Sequence, residues 1–208
     1  MSVIRKVEQL SFFEDSVNGK DLPADLLVYT PGVFSPAESG NFLTGLIGHT
    51  PWKQEIVQMY GKAIKTPRLT AWYGDQNKSY EFSGNKYNPL PWTKALFDIK
   101  ARVEPIAGME FNSTLLNYYR DGNDSVAWHS DDEYELGFKP TIASVSFGQD
   151  RRFDVRQKAD HKRKHSVILE NGSVLLMKGD LQSLWHHRIA KSTQPMKPRV
   201  NLTFRIIM

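Results

Sequence analysis

Two short patterns in this 208-residue chain put side chains where they could do chemistry. His129 and Asp131 stand two positions apart after Trp128, and alternate residues of an extended backbone point the same way. With a distant histidine they could form a 2-His-1-carboxylate facial triad, which leaves coordination positions open on a metal. Alone, a His-x-Asp pair is more often a surface aspartate beside a hydrogen-bonded histidine.

The second pattern lies near the C-terminus, in Arg199-Val200-Asn201-Leu202-Thr203-Phe204-Arg205-Ile206. Strict alternation places Arg199, Asn201, Thr203 and Arg205 on one face and apolar residues on the other. Two arginines on an otherwise core-like strand need buried or half-buried anions. A dicarboxylate such as 2-oxoglutarate could offer one carboxylate to each region, since a guanidinium fork matches a planar acid. Asn117 and Tyr119 repeat the alternation in Leu115-Leu116-Asn117-Tyr118-Tyr119. Their amide and phenol could donate to the same acid or form an ordinary polar face.

Composition narrows the chemistry further. Cysteine is absent, which excludes disulfides, thiolate metal sites and cysteine nucleophiles. Apolar residues at 40% and charged residues at 24% suit one folded domain spanning residues 1–208. No apolar run resembles a secretory signal or a membrane span, so an intracellular protein is expected. The net charge of +4 is unevenly placed. Arg151, Arg152, Arg156, Lys158, Lys162, Arg163 and Lys164 oppose only Asp154 and Asp160. Such a segment suits a polyanion partner or a solubilising hairpin edge.

The elements that must position these residues are also readable. Residues 1–30 read as an extended leader, and Ser35-Pro36-Ala37-Glu38 carries the cap, proline and acid of a helix start running to about Gly48. Trp92, Ala95, Leu96, Ile99 and Val103 make the apolar stripe of a second helix, with Pro105 and Gly108 as its stop. Strands are predicted at 111–119, 141–147, 151–156, 165–169, 172–177 and 199–207. Two helices followed by many short strands predict an α+β protein with an antiparallel sandwich or jelly roll.

Four ordered segments carry a resemblance. They are Asn117 to Gly122, Trp128 to Glu133, Ile142 to Gly148 and Arg199 to Arg205. Together they resemble the core signature of AlkB-type Fe(II)- and 2-oxoglutarate-dependent nucleic-acid demethylases, nearest the subgroup with the animal DNA-repair homologues. The similarity spans most of residues 50–208. It implies a double-stranded β-helix (jelly roll) with N-terminal helices and a nucleotide-recognition lid at about 50–88.

By this resemblance the metal ligands are His129, Asp131 and His187. Two histidines are adjacent in Trp185-His186-His187, and the family's order of aromatic, variable residue and ligand selects His187. The implied cofactors are Fe(II), O2 and 2-oxoglutarate as cosubstrate, the last held by Arg205, Arg199, Asn117, Tyr119 and Asn201. Tyr80 and Phe82 match base-contacting positions of the lid. Arg68, Asp132 and Glu133 are further candidates for substrate contact, and Tyr60 matches an aromatic finger that fills the gap left by a flipped base.

The implied reaction is oxidative demethylation of 1-methyladenine and 3-methylcytosine in DNA, releasing formaldehyde, succinate and CO2. The implied partner is alkylated DNA, single-stranded or duplex, with RNA as the alternative polymer and no membrane. A monomer is expected, cytoplasmic in a bacterium and nuclear in a eukaryote. One departure stands out: residues 189–198 carry only spaced lysines where duplex-active relatives have a dense basic cluster. The rival reading is a 2-oxoglutarate oxygenase acting on RNA, protein or a small molecule.

Overall fold

The computed structural model describes residues 23–59, 62–76, 80–82 and 85–208. In chain order the first half contains β1 (Leu27–Thr30), α1 (Pro36–His49), β2 (Ile56–Met59), β3 (Lys62–Lys65), β4 (Leu69–Gly74), β5 (Tyr80–Phe82), β6 (Asn85–Tyr87) and α2 (Lys94–Ala107). The second half contains β7 (Ser113–Tyr119), β8 (Val126–His129), β9 (Ile142–Gly148), β10 (Arg151–Gln157), β11 (Lys164–Leu169) and β12 (Ser173–Met177). It ends with α3 (Leu181–Leu184), β13 (Trp185–Ile189) and β14 (Arg199–Arg205).

Two antiparallel sheets make the predicted jelly roll. The larger runs β1-β12-β9-β14-β7-β4, and the smaller runs β11-β10-β13-β8. β2–β3 and β5–β6 are separate two-stranded hairpins.

Alternation on β14 explains how the layers assemble. Val200, Leu202 and Phe204 join Leu96, Ile99 and Val103 of α2 and Leu46 of α1 in one apolar cluster. A second cluster includes Ile142 and Leu175 of the large sheet with Phe153, Val155 and Ile189 of the small one. Burying each large aliphatic or aromatic side chain contributes about 1.5–3 kcal/mol. Arg199, Asn201 and Thr203 are also buried, on the face of β14 opposite the helix cluster.

The helix starts follow their local signals. Ser35 Oγ accepts from Glu38 N at 3.3 Å, and Glu38 Oε2 accepts from Ser35 N at 2.9 Å, closing a capping box. Thr93 caps α2 by accepting from Leu96 N. Pro105, expected to help stop this helix, lies inside it. A proline's fixed φ is helical, and in the last turn it removes one intrahelical donor without preventing continuation. Gly108 makes the actual stop, with φ of 69° and its N–H donating to Glu104 O, a left-handed cap that glycine adopts without a Cβ clash.

Two other expectations change. The end of the predicted leader is structured, because Leu27–Thr30 pairs with β12 along the register Leu27↔Met177 to Thr30↔Val174. The cationic run 151–164 is not uniformly a surface, since Arg151 is buried and donates to the carbonyls of Asp121, Asp124 and Ala190. Arg152 and Arg188 both pair with Asp154, so part of the positive charge is neutralised on the sheet itself.

Candidate metal centre

Pairing between β8 and β13 sets His129 directly opposite His187. Their ring centroids are 4.2 Å apart, and Asp131 follows two residues after His129, just beyond the strand end. One ligand atom from each of these three residues lies within 4.8 Å of the others. His129 Nε2 and Asp131 Oδ1 are 3.5 Å apart. The other nitrogen of His129, Nδ1, donates to Ala127 O at 2.9 Å, which fixes the tautomer that presents Nε2 as a lone-pair donor.

The surroundings hold His187 and Asp131 in metal-binding protonation states. Burial pushes the His187 imidazole down to about 3, and the neighbouring His129 charge adds to the effect. Asp131 works against burial, but the Arg205 guanidinium and the two histidines hold its carboxyl well below the usual carboxylate range. His129 is also opposed by burial, while its contact with Asp131 raises its pKa. A neutral imidazole and a carboxylate are the forms that bind a divalent cation, and proton release from His129 would accompany binding.

Asp131 is braced from two sides. Its Oδ2 accepts from Arg205 Nη2 at 2.8 Å, and its backbone N donates to Gln182 Oε1 at 2.9 Å. Gln182 is a positioning residue that the sequence did not single out. Its role comes from a contact spanning 51 positions, for which no local pattern exists.

The choice between adjacent histidines is visible in the sheet. His187 sits opposite Val155 on β10, is 4% exposed and packs against Phe153. His186 sits opposite Arg156 on the alternate face, where burial and the charges of Lys158 and Arg156 lower its pKa. His186 is not among the clustered ligands.

β14 supplies the second half of the site. Arg199 is 1% exposed and donates from Nη2 to Ser146 Oγ at 3.0 Å. Its Nε and Nη1 are buried without a hydrogen-bond partner, as is Arg205 Nε. Leaving buried donors unpaired is costly, so the arrangement suits incoming carboxylates. Tyr119 is opposite Arg199 in the β7 register, its ring 5.0 Å from the guanidinium carbon.

The remaining predicted residues divide by what they touch. Asn117 Oδ1 accepts from Arg68 Nε at 2.7 Å, which brings Arg68 into the site rather than leaving it on the surface. Asn201 donates both amide hydrogens to β9, at Ser144 Oγ and Val145 O. It therefore braces the sheet and has no amide hydrogen left for a cosubstrate. Asp132 meets Ser130 and Lys158, and Glu133 Oε2 is buried without a partner. Arg205 is oriented by Asp131, not by Asp132 or Glu133. Tyr80 and Phe82 begin and end β5, and Tyr60 falls outside the described residues. Ser144 and Ser146 escaped the sequence reading, although their alternation on β9 matches that of Asn201 and Arg199 on β14.

This donor set fits a ferrous ion and a small dicarboxylate. Three ligands of His, His and Asp type leave open coordination positions, and the unpartnered nitrogens of Arg199 lie on the strand that brings Arg205 to Asp131. Among the described residues, no helix is long and apolar enough to cross a membrane.

Comparison with known proteins agrees with this reading of the centre. The profile of the 2OG-Fe(II) oxygenase superfamily matches residues 26–205. The chain is 40% identical over 185 residues to the mouse α-ketoglutarate-dependent dioxygenase alkB homolog 3, covering 85% of this chain and 64% of that protein. It is 40% identical over 159 residues to the human DNA oxidative demethylase ALKBH2, covering 73% of this chain and 61% of that protein. The chain thus spans just under two thirds of the length of these relatives. The solved structure of OsALKBH1 superposes with a TM-score of 0.61 at 18% identity, covering 86% of this chain and 97% of that one, and so shares the fold. Signature, centre and relatives coincide: the chain belongs to the 2OG-Fe(II) oxygenase superfamily and, within it, to the AlkB family near the animal alkB homologues.

Proposed function

We propose that the chain is an Fe(II)- and 2-oxoglutarate-dependent dioxygenase that removes N-methyl groups from 1-methyladenine and 3-methylcytosine in DNA. The observation that carries this reading is the meeting of the His129, Asp131 and His187 cluster with a buried Arg199 that has two unpartnered nitrogens. The names of the mouse and human relatives, a dioxygenase and a DNA oxidative demethylase, point the same way. With Fe(II), O2 and 2-oxoglutarate bound, the chemistry supplied is oxidation of the methyl group, leaving formaldehyde, succinate and CO2.

The chain's own residues bind and orient. Arg199 and Tyr119 receive the remote carboxylate, Asn117 steadies Arg68 beside the cosubstrate, and Arg205 holds Asp131 while facing the nearer carboxylate. Tyr80 and Phe82 on β5 stack on an extracted base, with Asp132 and Glu133 near its polar edge, and Tyr60 replaces the base in the stack. An intracellular location follows from such a substrate.

The test uses purified protein with Fe(II), ascorbate, 2-oxoglutarate and matched DNA and RNA oligonucleotides carrying 3-methylcytosine. Mass spectrometry should show loss of 14 Da per lesion on the single-stranded DNA, about the mass of one CH2, with one succinate formed per base restored. Succinate formation without any change in the nucleic acids would point instead to another substrate class.

A further inference from the structure

The loop between β8 and β9 carries two rings that the metal centre does not use. Tyr134 and Phe138 are 88% and 87% exposed, while Leu136 between them is buried in the inter-sheet core. Tyr134 follows Asp131 by three residues, which places its backbone within roughly 11 Å of that ligand. Large aromatic side chains usually bury their area, so two of them held in water on a tightly anchored loop call for a ligand.

The anchoring is specific. Gly137 N donates to Tyr134 O, closing a single 3-10 turn over Tyr134–Leu136. Met208 N donates to Glu135 O, and Ile207 exchanges two hydrogen bonds with the Asn112 side chain at 2.8 and 2.7 Å. Asn112 O in turn accepts from Asp75 N, just past the end of β4. One chain of bonds therefore ties the aromatic loop to the end of β4.

After Phe138 comes Lys139, the sole non-glycine residue with positive φ among the described residues, at 51°. Its Nζ is 2.9 Å from Asp180 and 5.2 Å from the Phe138 ring centroid. Backbone held in that region gathers at ligand clamps.

We propose that Tyr134 and Phe138 form a stacking platform for an unpaired base next to the target base in single-stranded nucleic acid. This rests on the proposed nucleic-acid substrate. Two exposed rings on one short loop, with Met208 the exposed apolar side chain beside them, suit a planar, polar-edged ligand, whereas a protein-docking surface would be a larger contiguous apolar patch. Glu133 and Glu135 adjoin Tyr134 in the sequence, and Lys139 beside Phe138 is paired with Asp180, so the proposed contact is to base faces and not to phosphates. Its contribution should therefore be nearly independent of salt, unlike that of the basic strands.

The test compares wild type with Y134A/F138A on a single-stranded oligodeoxynucleotide carrying one 3-methylcytosine, and on the 3-methylcytosine mononucleotide. The variant should raise KM for the oligonucleotide about tenfold, the loss of one base–aromatic stack, with kcat and the salt slope unchanged. KM for the mononucleotide should not move. Y134W/F138W should restore wild-type behaviour, and an abasic residue beside the lesion, on one side only, should reproduce the alanine defect in wild type. Equal KM values for wild type and Y134A/F138A on the oligonucleotide would overturn the platform while leaving the demethylase reading intact. So would an equal loss on the mononucleotide. A wild-type protein that acts on no methylated nucleic acid would overturn both readings together.

Discussion

Two buried arginines lie against the ring of Tyr119, and their surroundings differ sharply. Arg151, with its guanidinium carbon 5.5 Å from the ring, donates to three backbone carbonyls at 3.3, 2.9 and 2.7 Å. Arg199, at 5.0 Å, donates to a single serine hydroxyl and leaves two buried nitrogens without a partner. Burial lowers the pKa of both. A guanidinium enclosed by carbonyls fastens loops together, whereas one with two unpaired buried nitrogens has donors to spare for an incoming acid. The same residue type is satisfied in one case and left with spare donors in the other, and only the hydrogen-bond inventory tells them apart.

The largest expected effect lies where the spare donors and the metal meet. H187A should abolish iron binding and turnover, because it removes a donor from a three-ligand set. H186A should retain both, since its ring occupies the other face of β13. Iron titration followed by the visible absorbance of the iron–cosubstrate complex would check this, and iron binding that survives H187A but not H186A would reverse the assignment. The spare donors of Arg199 would then have no metal to serve.

Next in size is the contrast between the arginines themselves. R199M should weaken 2-oxoglutarate binding by roughly 2–5 kcal/mol, the range for removing one partner of a buried charge pair. It should leave the stability of the cosubstrate-free protein unchanged or raised, because an uncompensated buried charge disappears. R151M should do the opposite, lowering stability by about 1–3 kcal/mol for each carbonyl left unpaired with little change in cosubstrate affinity. Denaturant unfolding paired with calorimetric titration gives both readouts. Similar behaviour of the two variants would dissolve the distinction.

Much of this contrast is legible in the sequence, and some is not. The period of two in Arg199 to Arg205 identifies an interior polar face because each apolar partner must point at the helices, and the structure buries Val200, Leu202 and Phe204 fully. The His-x-Asp spacing is local for the same reason. Arg151 misleads because it lies in a run of cations, and its acceptors at 121, 124 and 190 are distant in the chain. Gln182 is invisible for a like reason. The leader's end becomes β1 through pairing with β12, a contact no property of Leu27–Thr30 announces. Pro105 shows the converse error, in which a strong local signal is overruled by a better cap three residues on.

Gln182 offers a smaller and more selective perturbation. Q182A removes the acceptor from Asp131 N, a bond of about 0.5–1.5 kcal/mol net, and leaves every ligand atom present. Iron affinity should fall severalfold, while Q182E, which keeps an acceptor oxygen, should recover most of it. A loss as large as that of H187A would mean that Gln182 organises the whole β8–β13 end and not Asp131 alone.

The smallest effect is a pH dependence of cosubstrate affinity that only one of the two arginines should show. Burial, opposed by the neighbouring Tyr119 and reinforced by the charge of Arg151, pushes the Arg199 pKa down to about 10 from the ordinary guanidinium value. Below about pH 10 both the folded and the unfolded chain carry the proton, so the cosubstrate-free fold bears the full cost of the buried charge. Between about pH 10 and the ordinary guanidinium value the unfolded chain binds more protons than the folded one, and this residue's contribution to stability therefore rises with pH. Bound 2-oxoglutarate reverses the preference, since a carboxylate beside the guanidinium favours the charged form and lifts its pKa. Cosubstrate affinity should accordingly be flat up to about pH 9 and fall above 10, approaching about tenfold per pH unit. Titration of the metal-free protein, followed by intrinsic fluorescence, separates this from hydroxide competition at iron. R199M should flatten the profile at a low affinity, and R151K, which keeps a donor and a charge at the satisfied position, should preserve the wild-type slope. A slope that survives R199M would assign the titration to another group, and the difference between the two arginines would then rest on hydrogen-bond geometry alone.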